Sequence, residues 1–136
     1  MSVFVDTGAF IAFLDRSDSL HADVGALFTK PPRRWMTSVM VVGEAYGWFL
    51  HRMGEEAART FRELLEELPG LTLVGADPKH HAAVFRKLDD LRGCKLTYVD
   101  ASSLVWMAAK RIATVWGTDH HLGLEGAAIV PGSPIV

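Results

Sequence analysis

Cysteine is nearly absent: Cys94 is the one example in 136 residues. A lone thiol cannot build an intrachain disulfide framework or a thiolate zinc site, and it points to a reducing compartment. No apolar run approaches the ~20 residues that a bilayer span requires. The opening Met1-Ser2-Val3-Phe4-Val5-Asp6 lacks the basic and long apolar segments of a secretory signal. A cytoplasmic protein with no membrane association is therefore expected. Excess positive charge is also missing, with 14 Lys and Arg against 16 Asp and Glu for a net charge of -2. That excludes a basic coat for non-specific nucleic-acid binding, though not a local basic surface. The glycine-rich P-loop of nucleotide triphosphatases and the Gly-x-Ser-x-Gly elbow of serine hydrolases do not occur. Gly8 stands where a haloacid-dehalogenase phosphatase would need a second Asp after Asp6.

What is present is an ordinary globular composition, 49% apolar and 22% charged, so disorder is excluded. The length suits one domain spanning residues 1–136. Short apolar runs read as strands at Val3–Val5, Trp35–Thr37, Leu71–Val74, Thr114–Gly117 and Ala127–Val130. Between them, apolar residues at helical spacing predict helices over Thr7–Leu14, Leu20–Thr29, Val39–Met53, Glu55–Leu68, Pro78–Leu91 and Asp100–Ile112. In the third, Val39, Val42, Tyr46, Phe49 and Met53 form the expected inward stripe. In the fifth it is Val84, Phe85, Leu88 and Leu91. Ser38 and Asp77 sit where N-caps belong, and Pro78 occupies a first helical position. Strands alternating with helices predict an α/β fold around a short, mostly parallel central sheet flanked by helices, with ligands beyond the strands' carboxyl ends.

Four carboxylates stand out by context. Asp6 ends the first apolar strand, Glu44 interrupts Val41-Val42-Gly43-Glu44-Ala45-Tyr46, Asp100 follows the strand-like Leu96-Thr97-Tyr98-Val99, and Asp119 follows Val115-Trp116-Gly117-Thr118. Each has an ordinary alternative: Asp100 as a helix N-cap, Asp119 as the cap of a short turn, Glu44 on a solvated helical face. Gathered at one sheet edge, they would repel one another, and burying them unpaired is expensive. A divalent cation resolves the conflict, and acid-only ligation favours Mg²⁺ or Mn²⁺ over zinc. Such clusters serve phosphoryl transfer.

These segments resemble the PIN domain family. Val3-Phe4-Val5-Asp6-Thr7 is similar to its opening strand and first acid, and Thr37-Ser38 with Glu44 to its second motif. Leu96-Thr97-Tyr98-Val99-Asp100-Ala101 is similar to the third. Thr118-Asp119-His120-His121-Leu122, then Ile129-Val130-Pro131, is similar to the fourth motif and the closing strand. The compact length resembles VapC-type toxin ribonucleases of type II toxin–antitoxin modules. The resemblance implies a PIN-like three-layer sandwich and an Mg²⁺- or Mn²⁺-dependent endoribonuclease using one or two ions. It also implies a homodimer inhibited by a cognate antitoxin. Carried over by position, the metal-binding acids are Asp6, Glu44, Asp100 and Asp119, and the hydroxyl residues beside them are Thr7, Ser38 and Thr118. Leu122 departs from the Phe that relatives often carry, and Leu104 leaves no fifth acid one turn after Asp100. Two other readings stay open: a housekeeping RNA-processing nuclease, and a PIN-like binding or scaffold module without catalysis.

Around this centre, Arg33, Arg34, Arg86, Lys95 and His120 are candidates to hold an RNA backbone. The adjacent pairs His80-His81 and His120-His121 cannot easily chelate one ion, since neighbours on a helix point about 100° apart. His80 and His81 are assigned to the surface or to partial packing. Trp35 and Trp116 belong to the sheet. Trp48 and Trp106 fit either the core or an interface with a second copy or an antitoxin.

Overall fold

The computed structural model describes residues 1–132. Five short strands form one sheet: β1 (Ser2–Val5), β2 (Arg34–Ser38), β3 (Leu71–Val74), β4 (Thr114–Gly117) and β5 (Ala128–Pro131). All pairings are parallel, in the spatial order β3-β2-β1-β4-β5. β1 is the central strand, and Val3, Phe4 and Val5 are fully buried. A parallel strand covered on both faces has no solvated side, so its sequence is continuously apolar rather than alternating.

Six α-helices cover the sheet: α1 (Thr7–Leu14), α2 (His21–Thr29), α3 (Val39–Met53), α4 (Glu55–Glu67), α5 (Pro78–Asp90) and α6 (Tyr98–Lys110). A 3-10 turn over His120–Gly123 follows β4. None of the described helices is long and apolar enough to cross a membrane. The N-caps at Ser38 and Asp77 form as expected, accepting from the amides of Val41 and His80. The aromatic core joins both ends of the fold, with Phe10 edge-on to Phe28 and Phe61 and Trp35 edge-on to Trp116.

Expectations for α3, α5 and α6 are corrected. α6 starts at Tyr98, two residues before Asp100, because Thr97 caps it and Asp100 closes a capping box as the third helical residue. Leu96–Val99 is therefore not a strand, and Asp100 is not the N-cap. The buried stripe of α3 is Val41, Ala45 and Phe49, while Val39 and Met53 are exposed. On α5, Phe85 faces outward and His80 is buried instead, its ring stacked on Trp106 at 4.5 Å and its Nε2 2.8 Å from Ser102 Oγ. That hydroxyl and that indole face let a polar ring replace an apolar one in the helix–helix contact.

The Phe10 side chain is fully buried among aromatic rings from α2 and α4. Phe10→Ala should destabilise the fold by about 3–5 kcal/mol through lost transfer energy and the residual cavity. Urea unfolding at constant slope measures it, and a loss under 1 kcal/mol would show that this core is not tightly packed.

Candidate active site

The strand order reverses between β1 and β4: the chain builds outward to β2 and β3, then returns to the other side of β1. At such a switch point the loops leaving adjacent strands diverge and open a crevice at their carboxyl ends. Asp6 directly follows β1 and Asp119 lies two residues beyond β4, so both sit on this crevice. The amide of Asp6 donates to the Trp116 carbonyl at 2.9 Å, continuing the ladder one residue past the strand. Thr37 Oγ1 donates to the Val5 carbonyl at 2.7 Å and ties β2 to the same edge.

Two glycines permit this crowding. A Cβ on Gly117 would lie 3.1 Å from the Asp6 Cβ, and one on Gly8 would lie 2.5 Å from Thr118 Oγ1. The second distance is below any normal contact, so only glycine lets the start of α1 pass so close to Thr118.

The four acids share one neighbourhood. Thr7 Oγ1 donates to Glu44 Oε1 at 2.6 Å, which links the start of α1 to α3. Asp6 lies in the electrostatic field of Glu44, Asp100 and Asp119. Burial decreases across the group: Asp6 and Asp100 are buried, Asp119 is intermediate and Glu44 is exposed. Burial is the main reason that the Asp6 carboxyl is pushed up to about 7, against a hydrogen bond from the Thr7 backbone; the three neighbouring acids raise it further. Asp100 is raised too, first by burial and then by the charge of Asp119, while the hydrogen bonds from Thr97 and the nearby His121 oppose the shift. Among the described residues Asp6 Oδ1 is buried without a hydrogen-bond partner. A buried carboxylate oxygen with no donor costs free energy unless a cation meets it. The oxygen donor set fits a hard divalent ion.

The other nominated residues divide by position. Ser38 Oγ accepts from the Val41 amide and so caps α3 at the carboxyl end of β2. Thr118 stands between Gly117 and Asp119, beside Gly8. His120 is exposed next to Asp119, with Nδ1 3.8 Å from Asp119 Oδ1. Lys95 is exposed in the loop before α6, and Arg86 is exposed on α5. Arg33 and Arg34 are the exception. They stand at the amino end of β2, where Arg34 begins the strand that Ser38 ends. Four strand residues rise about 13 Å, so these two arginines lie at the sheet edge opposite the acids and cannot rim them. They line a cavity of about 270 Å³ there, together with Lys110 and Trp35.

Of the two histidines after Asp119, either of which the sequence allows to face a phosphate, it is His121 that joins the site. His121 Nδ1 lies 2.9 Å from Asp119 Oδ1 and 3.9 Å from Asp100 Oδ2, and Nε2 lies 3.0 Å from the Cys94 carbonyl oxygen. Its backbone amide also donates to Asp119 Oδ1 at 2.9 Å. The adjacency of His120 and His121 says nothing of a loop carbonyl 27 residues upstream; only the fold supplies that partner.

A parallel α/β sheet with acids converging on its switch point is a nuclease-like architecture, and this chain belongs to the PIN domain family, whose model matches residues 3–123. Among solved structures it is similar to Mycobacterium tuberculosis VapC20, described as a sarcin-ricin loop cleaving toxin. The TM-score is 0.85 at 23% identity, with 93% of this chain and 96% of that one covered. It is also similar to VapBC2 of Rickettsia felis, solved with a DNA fragment from its promoter (TM-score 0.68, 12% identity, 95% and 97% covered). A third is FitAcB of Neisseria gonorrhoeae (TM-score 0.67, 16% identity, 93% and 95% covered). At these identities the likeness establishes the fold. No curated protein matches in sequence.

The raised carboxyl makes stability depend on pH. Asp6 holds its proton in the fold up to about pH 7, whereas the unfolded chain releases it near 3.8. Its contribution is therefore fully present below pH 4 and is lost as pH rises through 7, an effect on the order of 4 kcal/mol. Denaturation of metal-free protein at stepped pH should show this decline. Asp6→Asn should flatten most of it and melt several degrees above wild type at pH 7.5. An unchanged slope in the variant would remove Asp6 as its source.

Proposed function

We propose that the chain is a divalent-metal-dependent endoribonuclease and the toxin of a type II toxin–antitoxin module. The observation that carries this reading is the convergence of Asp6, Glu44, Asp100 and Asp119 on one crevice with an unpartnered, buried Asp6 oxygen. Family membership supports nuclease chemistry. The toxin role draws on the similar structures, among them a cleaving toxin and a toxin–antitoxin complex from Klebsiella pneumoniae.

In this reading the four acids hold Mg²⁺ or Mn²⁺. Held there, the ion would supply charge neutralisation at the phosphoryl oxygens and a lowered pKa for an attacking water. The chain's own residues set the geometry. Thr7 orients Glu44 through its hydroxyl, the Ser38 cap fixes the start of the helix that carries Glu44, and Thr118 leads Asp119 into the crevice beside Gly8. Lys95, His120 and Arg86 are exposed, and this reading assigns them to the RNA backbone. An antitoxin fits the same chemistry if it brings a basic side chain to these carboxylates, since a buried acid cluster is satisfied by a guanidinium as well as by a metal. A homodimer is part of this proposal.

Glu44→Gln is the direct test. Glu44 is exposed and Thr7 can still donate to the amide oxygen, so the fold should survive the change. Cleavage of end-labelled RNA should require Mg²⁺ or Mn²⁺ and stop in EDTA. The variant should cut more than about a hundredfold more slowly, as losing one charge-stabilising group typically does. Undiminished cleavage in EDTA or by Glu44→Gln would refute the proposal. Growth arrest on expression, relieved by co-expressing the product of an adjacent small gene, would distinguish a toxin from a housekeeping nuclease.

A further inference from the structure

We propose that His121 is itself a metal ligand, donating through Nδ1 beside Asp119 and Asp100, so that the centre is a mixed nitrogen–oxygen site. This rests on the metal-site reading above and adds a donor to it. The argument starts at the other ring nitrogen. Nε2 lies 3.0 Å from the carbonyl oxygen of Cys94. A carbonyl oxygen only accepts, so Nε2 is the protonated nitrogen there. Nδ1 is then left facing carboxylate oxygens alone, Asp119 Oδ1 at 2.9 Å and Asp100 Oδ2 at 3.9 Å. In the metal-free chain a proton on Nδ1 makes the Asp119 contact a hydrogen bond, and a divalent cation among the three atoms displaces that proton and takes its place.

The spacing suits a shared ion. Adjacent donors about 2.1 Å from one metal lie about 3.0 Å apart when their bonds meet at a right angle. A histidine ligand commonly has its far N–H donated to a backbone carbonyl, which fixes tautomer and ring orientation. The loop between α5 and α6 supplies that carbonyl in a fixed pose. Gly93 and Lys95, on either side of Cys94, both have positive φ, 96° and 57°. A non-glycine residue in the left-handed region is uncommon, and here it follows the carbonyl that holds the ring. Asp119, His120 and His121 also offer donor atoms within 4.8 Å of one another. The His120 ring, however, is largely exposed, and among the described residues no carbonyl anchors it. Replacing an oxygen donor by imidazole raises preference for Mn²⁺ over Mg²⁺, which departs from the acid-only site expected from the sequence.

Mn²⁺ added to the metal-free full-length chain is the probe. Pulsed electron paramagnetic resonance should detect ¹⁴N coupling to bound Mn²⁺ in the wild type and in His120→Gln. The coupling should vanish in His121→Asn, with Mn²⁺ affinity falling about 10- to 100-fold. Bound Mn²⁺ without nitrogen coupling would overturn the proposal and leave His121 as a hydrogen-bond donor to Asp119, with the metal site intact. Coupling lost in His120→Gln instead would also overturn it. Absence of any Mn²⁺ binding would refute both this proposal and the metal-site reading. A measurement on the wild type needs no variant to fold. In ¹H–¹⁵N spectra of the histidine rings with Zn²⁺, His121 Nδ1 should lose proton character and shift to the metallated range while Nε2 stays protonated. An Nδ1 that keeps its proton in the Zn²⁺-loaded protein would count decisively against ligation.

Discussion

Electrostatic repulsion among carboxylates at a single edge of the sheet is the constraint from which the rest of the arrangement follows. Asp6 and Asp100 are buried, and Asp119 raises the carboxyls of both. Four acids so placed would scatter in water. Here each is anchored by backbone it cannot leave. Asp6 is hydrogen-bonded into the ladder through its amide, Asp100 is held in the capping box of α6, and Asp119 caps a 3-10 turn. Glu44 is steered by the Thr7 hydroxyl. The strain is concentrated on side chains while the backbone beneath them has its hydrogen bonds satisfied, which is what allows a folded protein to keep charge where a ligand needs it.

The fold makes that anchoring affordable in steric terms. The central strand buries Val3, Phe4 and Val5 completely, and Asp6 follows directly at its carboxyl end. Gly117 and Gly8 remove the Cβ atoms that would push Asp6 and Thr118 apart. Phe10 on α1 and Trp116 on β4 belong to one aromatic core with Phe28 and Trp35, so the two segments framing the crevice are clamped together from below. Packing and site are thus one device: aromatic burial holds the strands in register, and the register brings the acids together.

Most of the architecture was legible in the sequence because its signals are local. Continuous apolar runs such as Val3–Val5 mark buried parallel strands, and Pro78 after Asp77 marks a helix start; both were read correctly. What failed was also local, but ambiguous. Leu96–Val99 looks like a strand, since Leu, Thr, Tyr and Val all suit one. The deciding fact is the reciprocal pairing of Thr97 and Asp100, a capping box that propensity alone does not weigh. On α5, Phe85 and His80 exchange their expected places because Ser102 and Trp106, on a different helix, supply a partner and a stacking face for the imidazole. Arg33 and Arg34 show the limit of composition: their charge is visible in the sequence, but which end of β2 they occupy relative to the acids depends on all strands running parallel.

His121 illustrates the same limit at the site itself. Read as half of an adjacent histidine pair, it cannot share an ion with His120 on a regular helix. The segment is instead a 3-10 turn capped by Asp119, and the turn separates the two rings' fates. His120 is left in solvent, and His121 is folded back over Asp119 toward the Cys94 carbonyl. The loop after α5 and the first turn of α6 that follows it therefore meet the distant turn after β4 in one contact. Any shift of that loop alters the position of the imidazole, and with it the field at Asp119 and Asp100. The loop before α6 thus governs the polarity of the crevice without contributing a charged side chain to it, through one carbonyl oxygen and one ring.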